Sequence, residues 1–195
     1  MITAGPREIR SLEVDGRSIG NPVDVVTRLY DDRLDVAIIR AALSQDRDDE
    51  DPHITDLIGR IAGGRPVETV KAADGRHHHP PAHYDEIAPT LDTRTLISYV
   101  FVPRRPGADG ELCVYAVTPD TPDPPKPTNG HIWDLVAVER RYHFQRFVLE
   151  VGDFFLLAAG RCLHRIAPVA GSRARVSMGG FIALSKARDR VVYWS

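Results

Sequence analysis

The stretch that decides the fold reads Thr-Leu-Ile-Ser-Tyr-Val-Phe-Val and covers residues 95–102. Every second residue of an extended strand falls on the same face, so Ser98 and Tyr99 project to opposite sides. Most residues here are β-branched or aromatic, which favours a strand over a helix. The turn signal Pro-Gly-Ala-Asp-Gly follows at residues 106–110, and residues 111–117 are predicted to be the return strand of a hairpin.

The same pattern of short, turn-bounded strands extends over the chain from about residue 66. Further strands are predicted at residues 66–70, 147–151, 154–158, 175–184 and 191–194. Short strands separated by turns predict a mainly β fold, and the best match is a double-stranded β-helix, or jelly roll, of the cupin-like kind.

The N-terminal part, residues 1–65, predicts a mixed helix-and-strand support. Asn21-Pro22 is a typical helix start, because a capping residue precedes Pro at the first helical position. Residues 35–40 favour a buried strand, although a helix through Leu43 competes with it. We expect a single domain over residues 1–195, with a jelly-roll core at residues 66–195 and a few flanking N-terminal helices.

Composition limits the kinds of partner. Lys and Arg number 25 against 27 Asp and Glu, and the net charge of −2 gives no reason to expect nucleic acid or a membrane surface. No apolar stretch approaches the roughly 20 residues of a membrane span, and residues 1–6 lack a signal-peptide pattern. Cys113 and Cys162 fit no metal-binding spacing. We therefore expect free thiols, a cytoplasmic protein and a small-molecule substrate.

His83-Tyr84-Asp85 is the one His-any-Asp triplet of the chain. On an extended strand its imidazole and carboxylate point to the same face and can reach one metal ion. Two histidines and one carboxylate hold non-haem Fe(II) and leave other positions open. His164 is the best third ligand, since a jelly roll brings distant strands together at its mouth. The alternative reading is a core histidine and a surface acid.

Three further segments carry a family resemblance. They are Val-Gly-Asp-Phe-Phe-Leu-Leu at residues 151–157, His-Arg-Ile-Ala-Pro-Val at residues 164–169 and Arg-Val-Ser at residues 175–177. In this order they resemble the C-terminal signature of the Fe(II)/2-oxoglutarate-dependent oxygenases. Residues 112–114, 161–164 and 177–182 are also similar to the freestanding oxygenases and halogenases that tailor natural products.

The resemblance implies a set of site residues and cofactors. His83, Asp85 and His164 would bind Fe(II), and 2-oxoglutarate and O2 would be co-substrates. Arg175 would hold the far carboxylate of 2-oxoglutarate, because a guanidinium can grip a carboxylate with two parallel hydrogen bonds. Ser177 would donate a further hydrogen bond from the same strand face. Arg173 shares this face and is the rival cation.

The implied activity is that of a 2-oxoglutarate-dependent dioxygenase that oxidises a C–H bond of a small organic molecule in natural-product biosynthesis. Related halogenases carry Gly or Ala in place of the carboxylate ligand, which leaves room for chloride. Asp85 stands at that position here and favours hydroxylation, desaturation or ring formation over halogenation. The alternative function is a cupin-like module that binds a metal or small ligand without oxidising anything.

The alternation of side chains leaves two smaller expectations. One of Ser98 and Tyr99 is expected to touch 2-oxoglutarate, and the pattern alone does not choose between them. Arg165 follows His164 directly and should therefore point to the opposite face of the strand.

Overall fold

The structure of the chain is a computed structural model. It describes residues 7–17, 22–42, 58–69, 90–122, 133–173 and 175–194. The His83-Tyr84-Asp85 triplet lies outside the described residues, as does Asn21, the predicted helix cap.

Helices and strands follow one another along these ranges. The helices are α1 (Pro22–Tyr30), α2 (residues 58–62) and α3 (Leu135–Arg141), and Thr93–Thr95 form a 3₁₀ turn. The strands are β1 (Ser11–Asp15), β2 (Val36–Arg40), β3 (Val67–Thr69), β4 (Ile97–Arg104), β5 (Ala108–Asp109), β6 (Leu112–Tyr115), β7 (Phe144–Phe147), β8 (Phe154–Leu157), β9 (His164–Ile166), β10 (Val169–Ala170), β11 (Val176–Leu184) and β12 (Val191–Trp194).

Two sheets pack face to face around the core. The larger has the strand order β1-β2-β8-β4-β11-β12-β3, and the smaller has the order β7-β6-β9. The rings of Phe147 in β7 and Phe155 in β8 meet edge to face with their centroids 5.6 Å apart, so both side chains lie between the sheets. Two packed sheets linked by chain crossings form a jelly roll. The predicted mainly β, jelly-roll fold with N-terminal helices is confirmed.

The N-terminal elements extend the larger sheet. Helix α1 begins at Pro22, as predicted, and buries Val25, Val26 and Leu29 at helical spacing. Strand β2 follows and is buried at four of its five positions, so the strand interpretation of this segment is correct. It pairs with β1 on one side and with β8 on the other.

The predicted hairpin between β4 and the following strand is wrong. Strand β4 pairs with β8 and β11 in the larger sheet, whereas β6 pairs with β7 and β9 in the smaller one. The intervening turn is present, with positive φ at Asp109 and Gly110. A turn signal shows that the chain reverses, but it does not say which strand lies alongside.

The strand predicted at residues 147–151 begins and ends earlier than expected. Strand β7 ends at Phe147, and a turn follows. The carboxylate of Asp153 accepts a hydrogen bond from the backbone N–H of Glu150 at 2.9 Å, and Gly152 has a φ of 89°. The backbone N–H of Glu150 is therefore hydrogen-bonded within the turn and does not pair with a neighbouring strand.

The two faces of β4 have different surroundings, which matters for the site. Tyr99 stacks on Phe154 and Tyr193, at 5.5 and 6.0 Å between ring centroids. Val100, on the opposite face, pairs with Phe155, which contacts the smaller sheet. The Val100 side is therefore the inner face, the face that each sheet turns towards the other.

Two expectations from composition concern thiols and membranes. Cys113 and Cys162 are free thiols, as predicted, and both are buried. None of the helices in the described ranges is long and apolar enough to cross a membrane.

Candidate active site

His164 opens β9 and faces the space between the two sheets. It lies opposite Val114 of β6, and residues paired across an antiparallel ladder project from the same face. Val114 belongs to the main core cluster together with Phe147 and Phe155, the two rings that meet between the sheets. His164 itself is 6 % exposed, so its imidazole is buried at the edge of this core.

The imidazole of His164 is oriented by the backbone of the preceding turn. Its Nδ1 lies 2.9 Å from the carbonyl oxygen of Cys162. A carbonyl oxygen only accepts, so Nδ1 is the donor, and in the neutral imidazole Nε2 then carries the lone pair. Metal-binding histidines are commonly fixed in this way by a carbonyl or carboxylate on the other nitrogen. The orientation and tautomer of His164 therefore fit a ligand that binds a metal ion through Nε2.

Arg175 immediately precedes β11, and its guanidinium is largely buried. Nη1 donates to the carbonyl oxygen of Gly110 at 2.9 Å, whereas Nε is buried without a hydrogen-bond partner among the described residues. Burial lowers the pKa of the guanidinium, because it removes water that stabilises the charge. No acidic side chain of the described ranges offsets that effect. An incoming carboxylate would supply the missing acceptor and the missing negative charge.

A cavity of about 90 Å³ lies beside this guanidinium. Its apolar wall includes Val102, Leu112 and Phe147. Arg105 also lines the cavity, but its Nη1 contacts both carboxylate oxygens of Glu150, at 2.8 and 2.6 Å. Arg105 therefore already has an acid, and Arg175 is the cation of this cavity that fits an incoming carboxylate.

Ser177 and Arg173 flank Arg175 two residues away on either side. Ser177 is exposed, and it shares the inner face with Gly179, which pairs with Val100. Arg173 is exposed, and its Nη2 donates to the carbonyl oxygen of Pro106 at 3.2 Å. The structure thus places Arg175, and not its rival Arg173, with its guanidinium buried beside the cavity.

A bulge in β4 lies opposite Ser177. Val176 pairs with Arg104 and Met178 pairs with Phe101, so two residues of β4 oppose Ser177 alone. One of these two is Pro103, which has no N–H to donate and therefore suits a position outside the regular ladder. The bulge locally bends β4 where Val102 lines the cavity.

His164 and the Arg175 cavity lie beside different residues of strand β6 on the inner face. Val114 lies opposite His164, and Leu112 of the same strand lines the cavity. Residues two apart in a strand are separated by about 7 Å.

The remaining predicted ligands, His83 and Asp85, lie outside the described residues. Within the described ranges no three side chains of His, Cys, Asp or Glu come together as a metal site. The described part of the site is therefore one histidine suited to a metal and one arginine suited to a carboxylate.

The inner face also separates Ser98 from Tyr99 and adds a polar residue. Ser98 shares the face of Val100, whereas Tyr99 projects to the other side, so Ser98 is the one of the two on the inner face. Gln145 of β7 pairs with Val114, which in turn pairs with His164. These three residues form one row across the smaller sheet. Gln145 was not predicted from the sequence, although the alternation of residues 144–147 places it on the same face as Phe147.

Comparisons with known proteins identify the family of this chain. The family described as carrier-protein-independent halogenase WelO5 matches residues 75–195, more than half of the chain. Among curated proteins, none matches the sequence significantly.

Solved structures show the same fold in distant proteins. An N-substituted L-amino acid dioxygenase from Burkholderia ambifaria AMMD superposes with a TM-score of 0.56 at 12% identity, covering 90% of this chain and 92% of its own. The same enzyme in complex with alpha-KG gives 0.56 at 12% identity, covering 89% and 91%. The family match extends over both His164 and Arg175. This chain is thus a member of the carrier-protein-independent halogenase WelO5 family, and so of the Fe(II)/2-oxoglutarate-dependent oxygenases, whose cofactors are Fe(II), 2-oxoglutarate and O2.

Proposed function

We propose that the protein is a dioxygenase that hydroxylates, or otherwise oxidises, a C–H bond of a small organic molecule in natural-product biosynthesis. His83, Asp85 and His164 hold Fe(II), and Arg175, assisted by Ser177, holds the far carboxylate of 2-oxoglutarate. The observation that carries this proposal is the largely buried guanidinium of Arg175, which adjoins the cavity and whose Nε has no hydrogen-bond partner in the described ranges. Asp109 and Glu111 also line the cavity, but neither shifts the pKa of Arg175.

The residues of the chain have separate tasks in this reaction. Iron, when bound, supplies the activation of O2, coupled to the oxidative decarboxylation of 2-oxoglutarate. The backbone carbonyl of Cys162 accepts from Nδ1 of His164, so that Nε2 is the ring nitrogen that would bind the metal. Arg175 fixes the position of the co-substrate, and the apolar wall with Leu112 and Phe147 excludes water from it.

The inner face of the larger sheet supports a small organic substrate. Ser98 and Val100 are half-buried there, and Gly179 is exposed. A Cβ added at Gly179 would lie 2.5 Å from the carbonyl oxygen of Tyr99, so any side chain at this position would force the strands apart. The glycine keeps this part of the face shallow and open to a ligand.

Halogenation is the second candidate, because the matching family is one of halogenases. A halogenating site of this kind needs a coordination position for chloride. Asp85 offers a carboxylate at that position and supports oxygenation instead.

The first experiment tests the role of Arg175 in the unmodified chain and in two variants. Arg175→Gln should raise the 2-oxoglutarate concentration for half-maximal succinate formation by about 10- to 100-fold, because hydrogen bonds between charged groups contribute about 1.5–3 kcal/mol. Binding of Mn(II), a redox-stable substitute for Fe(II), should be unchanged. Arg173→Gln is the matched control and should behave like the unmodified chain.

Two other outcomes would contradict the proposal. Equal loss of Mn(II) and 2-oxoglutarate binding in Arg175→Gln would make Arg175 a structural residue. An unmodified protein that binds metal but neither binds 2-oxoglutarate nor forms succinate would be a cupin-like binding module.

A second experiment separates oxygenation from halogenation. Anaerobic protein loaded with Fe(II) and 2-oxoglutarate is titrated with chloride while its visible absorption is recorded, with nitrate as the ionic-strength control. With Asp85 in place the spectrum should not respond to chloride, whereas Asp85→Gly should respond because a position at the metal is vacated. A chloride-specific shift in the unmodified protein would favour halogenation.

A further inference from the structure

The strand that carries His164 is short, and its backbone pairing, which continues to Leu163 and Ala167, is made with residues 111–117 on one side. Strand β9 has three residues, and among the described strands it pairs with β6 alone. An edge strand makes these backbone hydrogen bonds on one side only, so its other side has no neighbouring strand to hold it. A metal ligand on such a strand needs additional contacts to keep its direction fixed.

Those contacts are supplied on the opposite face by Arg165. Its Nε donates to the hydroxyl oxygen of Tyr115 at 2.6 Å, and its Nη2 donates to Oε1 of Glu139 at 3.0 Å. The Tyr115 hydroxyl donates in turn to the same Oε1 at 2.8 Å. We call these three residues the outer-face triad. Each pair within it is hydrogen-bonded, so no member can rotate without breaking two contacts.

The triad is shielded from water and keeps one protonation state. Tyr115 is fully buried, and the side chains of Arg165 and Glu139 are 14% and 28% exposed. Burial raises the pKa of Glu139, but the hydrogen bonds from Arg165 and Tyr115 outweigh it and leave that pKa below its usual value. Burial raises the pKa of Tyr115, which keeps the phenol neutral and able to donate. The hydrogen bonds of the outer-face triad therefore persist throughout the neutral pH range.

Helix α3 brings Glu139 to this position. Its N-terminus is capped by the Asp134 carboxylate, which accepts from the backbone N–H of Ala137. Val138 is fully buried and packs in a second apolar cluster with Cys113 and Tyr115, behind the smaller sheet. The helix is thus fixed against the outer face of the strand that pairs with β9.

We infer that Glu139 and Tyr115 are positioning residues for the metal ligand His164 and act through Arg165. Adjacent residues of a strand project to opposite faces. Because the outer-face triad fixes the side chain of Arg165, it also fixes the rotation of β9 about its own axis, and this rotation sets the direction of His164. The Cys162 carbonyl holds the imidazole from the inner side, and the triad holds the strand from the outer side. This inference rests on the proposed role of His164 in binding iron.

The test measures metal binding by the apoprotein rather than turnover. Mn(II) is titrated into the unmodified chain and into Glu139→Gln, Arg165→Lys and Tyr115→Phe, and its EPR spectrum is recorded at saturation. Loss of groups that orient metal ligands typically costs 10- to 100-fold in affinity. We expect Glu139→Gln and Arg165→Lys to raise the Mn(II) dissociation constant about tenfold and to alter the spectrum, with a smaller effect from Tyr115→Phe.

Arg140→Ala is the matched control, because Arg140 is exposed on the same helix. It should bind Mn(II) like the unmodified chain, and circular dichroism checks that each variant is folded. If Arg165→Lys does not fold, Tyr115→Phe decides, since it removes a single oxygen atom.

The two proposals fail in different ways. If the unmodified chain does not bind Mn(II), or if His164→Ala binds it equally well, the proposed role of His164 is wrong and the inference is lost with it. If His164→Ala abolishes binding while the triad variants keep the unmodified constant and spectrum, the inference alone is overturned.

Discussion

His164 and Arg165 are adjacent, yet they serve opposite faces of one strand. The imidazole lies in the row with Val114 and Gln145 between the sheets, and the guanidinium lies behind the smaller sheet with Tyr115. The alternation of an extended strand is sufficient to separate the proposed metal ligand His164 from the contacts of Arg165. At this scale a single-residue shift in register would exchange the two roles.

Cys162 gives a prediction at the residue scale. It is 1% exposed, and burial raises the pKa of its thiol to about 12. The thiolate is the reactive form, so we expect Cys162 to resist alkylation at pH 8 in the folded protein. The rate of labelling by iodoacetamide, followed by mass spectrometry of the Cys113→Ser variant, measures this directly.

The pH dependence of Cys162 has a definite sign. An unfolded thiol ionises near pH 8.5, whereas the folded one stays neutral to about pH 12. The stability that the neutral thiol contributes is therefore present below about pH 8.5 and is lost as the pH rises towards 12. Rapid labelling of the native protein at pH 8, at the rate of the urea-unfolded chain, would contradict this prediction.

At the scale of elements, Asp35 ties the N-terminal segment to the larger sheet. It precedes β2, its side chain is fully buried, and its Oδ1 accepts from Nη2 of Arg7 at 2.5 Å. Its Oδ2 accepts from the backbone N–H and from Nε of Arg10, at 3.0 and 3.1 Å. One carboxylate thus joins the segment before β1 to the start of β2.

Replacing this carboxylate by an amide should destabilise the fold. Asp35→Asn leaves two arginines around a neutral group, and breaking buried ion pairs typically costs about 3–5 kcal/mol. We expect Asp35→Asn to lower the free energy of unfolding, measured with urea, by about 2–3 kcal/mol. The loss is smaller than for a fully buried pair because both arginines are partly exposed. The exposed pair of Arg33 and Asp31 supplies the control: Asp31→Asn should change stability by less than about 0.5 kcal/mol.

Asp35→Asn and the unmodified chain should also differ in how their stability responds to acid. Burial raises the pKa of Asp35, but the hydrogen bonds from Arg10 outweigh it, so the folded pKa lies below the ordinary value. The stability from this group is therefore present above about pH 3.9, the unfolded value, and is lost as the pH falls below it. Asp35→Asn should lose less stability than the unmodified chain over this range. An identical acid response of the two would refute the assignment.

At the scale of the whole molecule, the candidate site connects the two sheets. His164 belongs to the smaller sheet, and Arg175 precedes a strand of the larger one. A co-substrate bound between iron and Arg175 would link their inner faces and stabilise the folded state against the unfolded one.

This linkage gives a thermal-denaturation prediction. Mn(II) should raise the melting temperature, and 2-oxoglutarate added with it should raise it further; a ligand at 100 times its Kd contributes about 2.7 kcal/mol. In Arg175→Gln, Mn(II) should still raise the melting temperature, but added 2-oxoglutarate should not raise it further. In Asp85→Ala, neither ligand should raise the melting temperature. A full 2-oxoglutarate increment in Arg175→Gln would place the co-substrate elsewhere.

Local sequence was enough to predict much of this protein. Alternation located β4 and its two faces, Pro22 marked the start of α1, and the order of the 151–157, 164–169 and 175–177 segments identified the oxygenase superfamily. These features depend on residues close together in the chain, where the periodicity of the backbone directly sets which side chains share a face.

The tertiary structure alone decided which strands are neighbours. It paired β4 with β8 and β11 rather than with β6, buried the guanidinium of Arg175 while Arg173 stayed exposed, and brought Gln145 into the row of His164. Pairing between strands depends on register and packing across long chain separations, and no local pattern specifies the partner. Hence the sequence identified the chemical groups, and the packing of the two sheets determined which of them face each other.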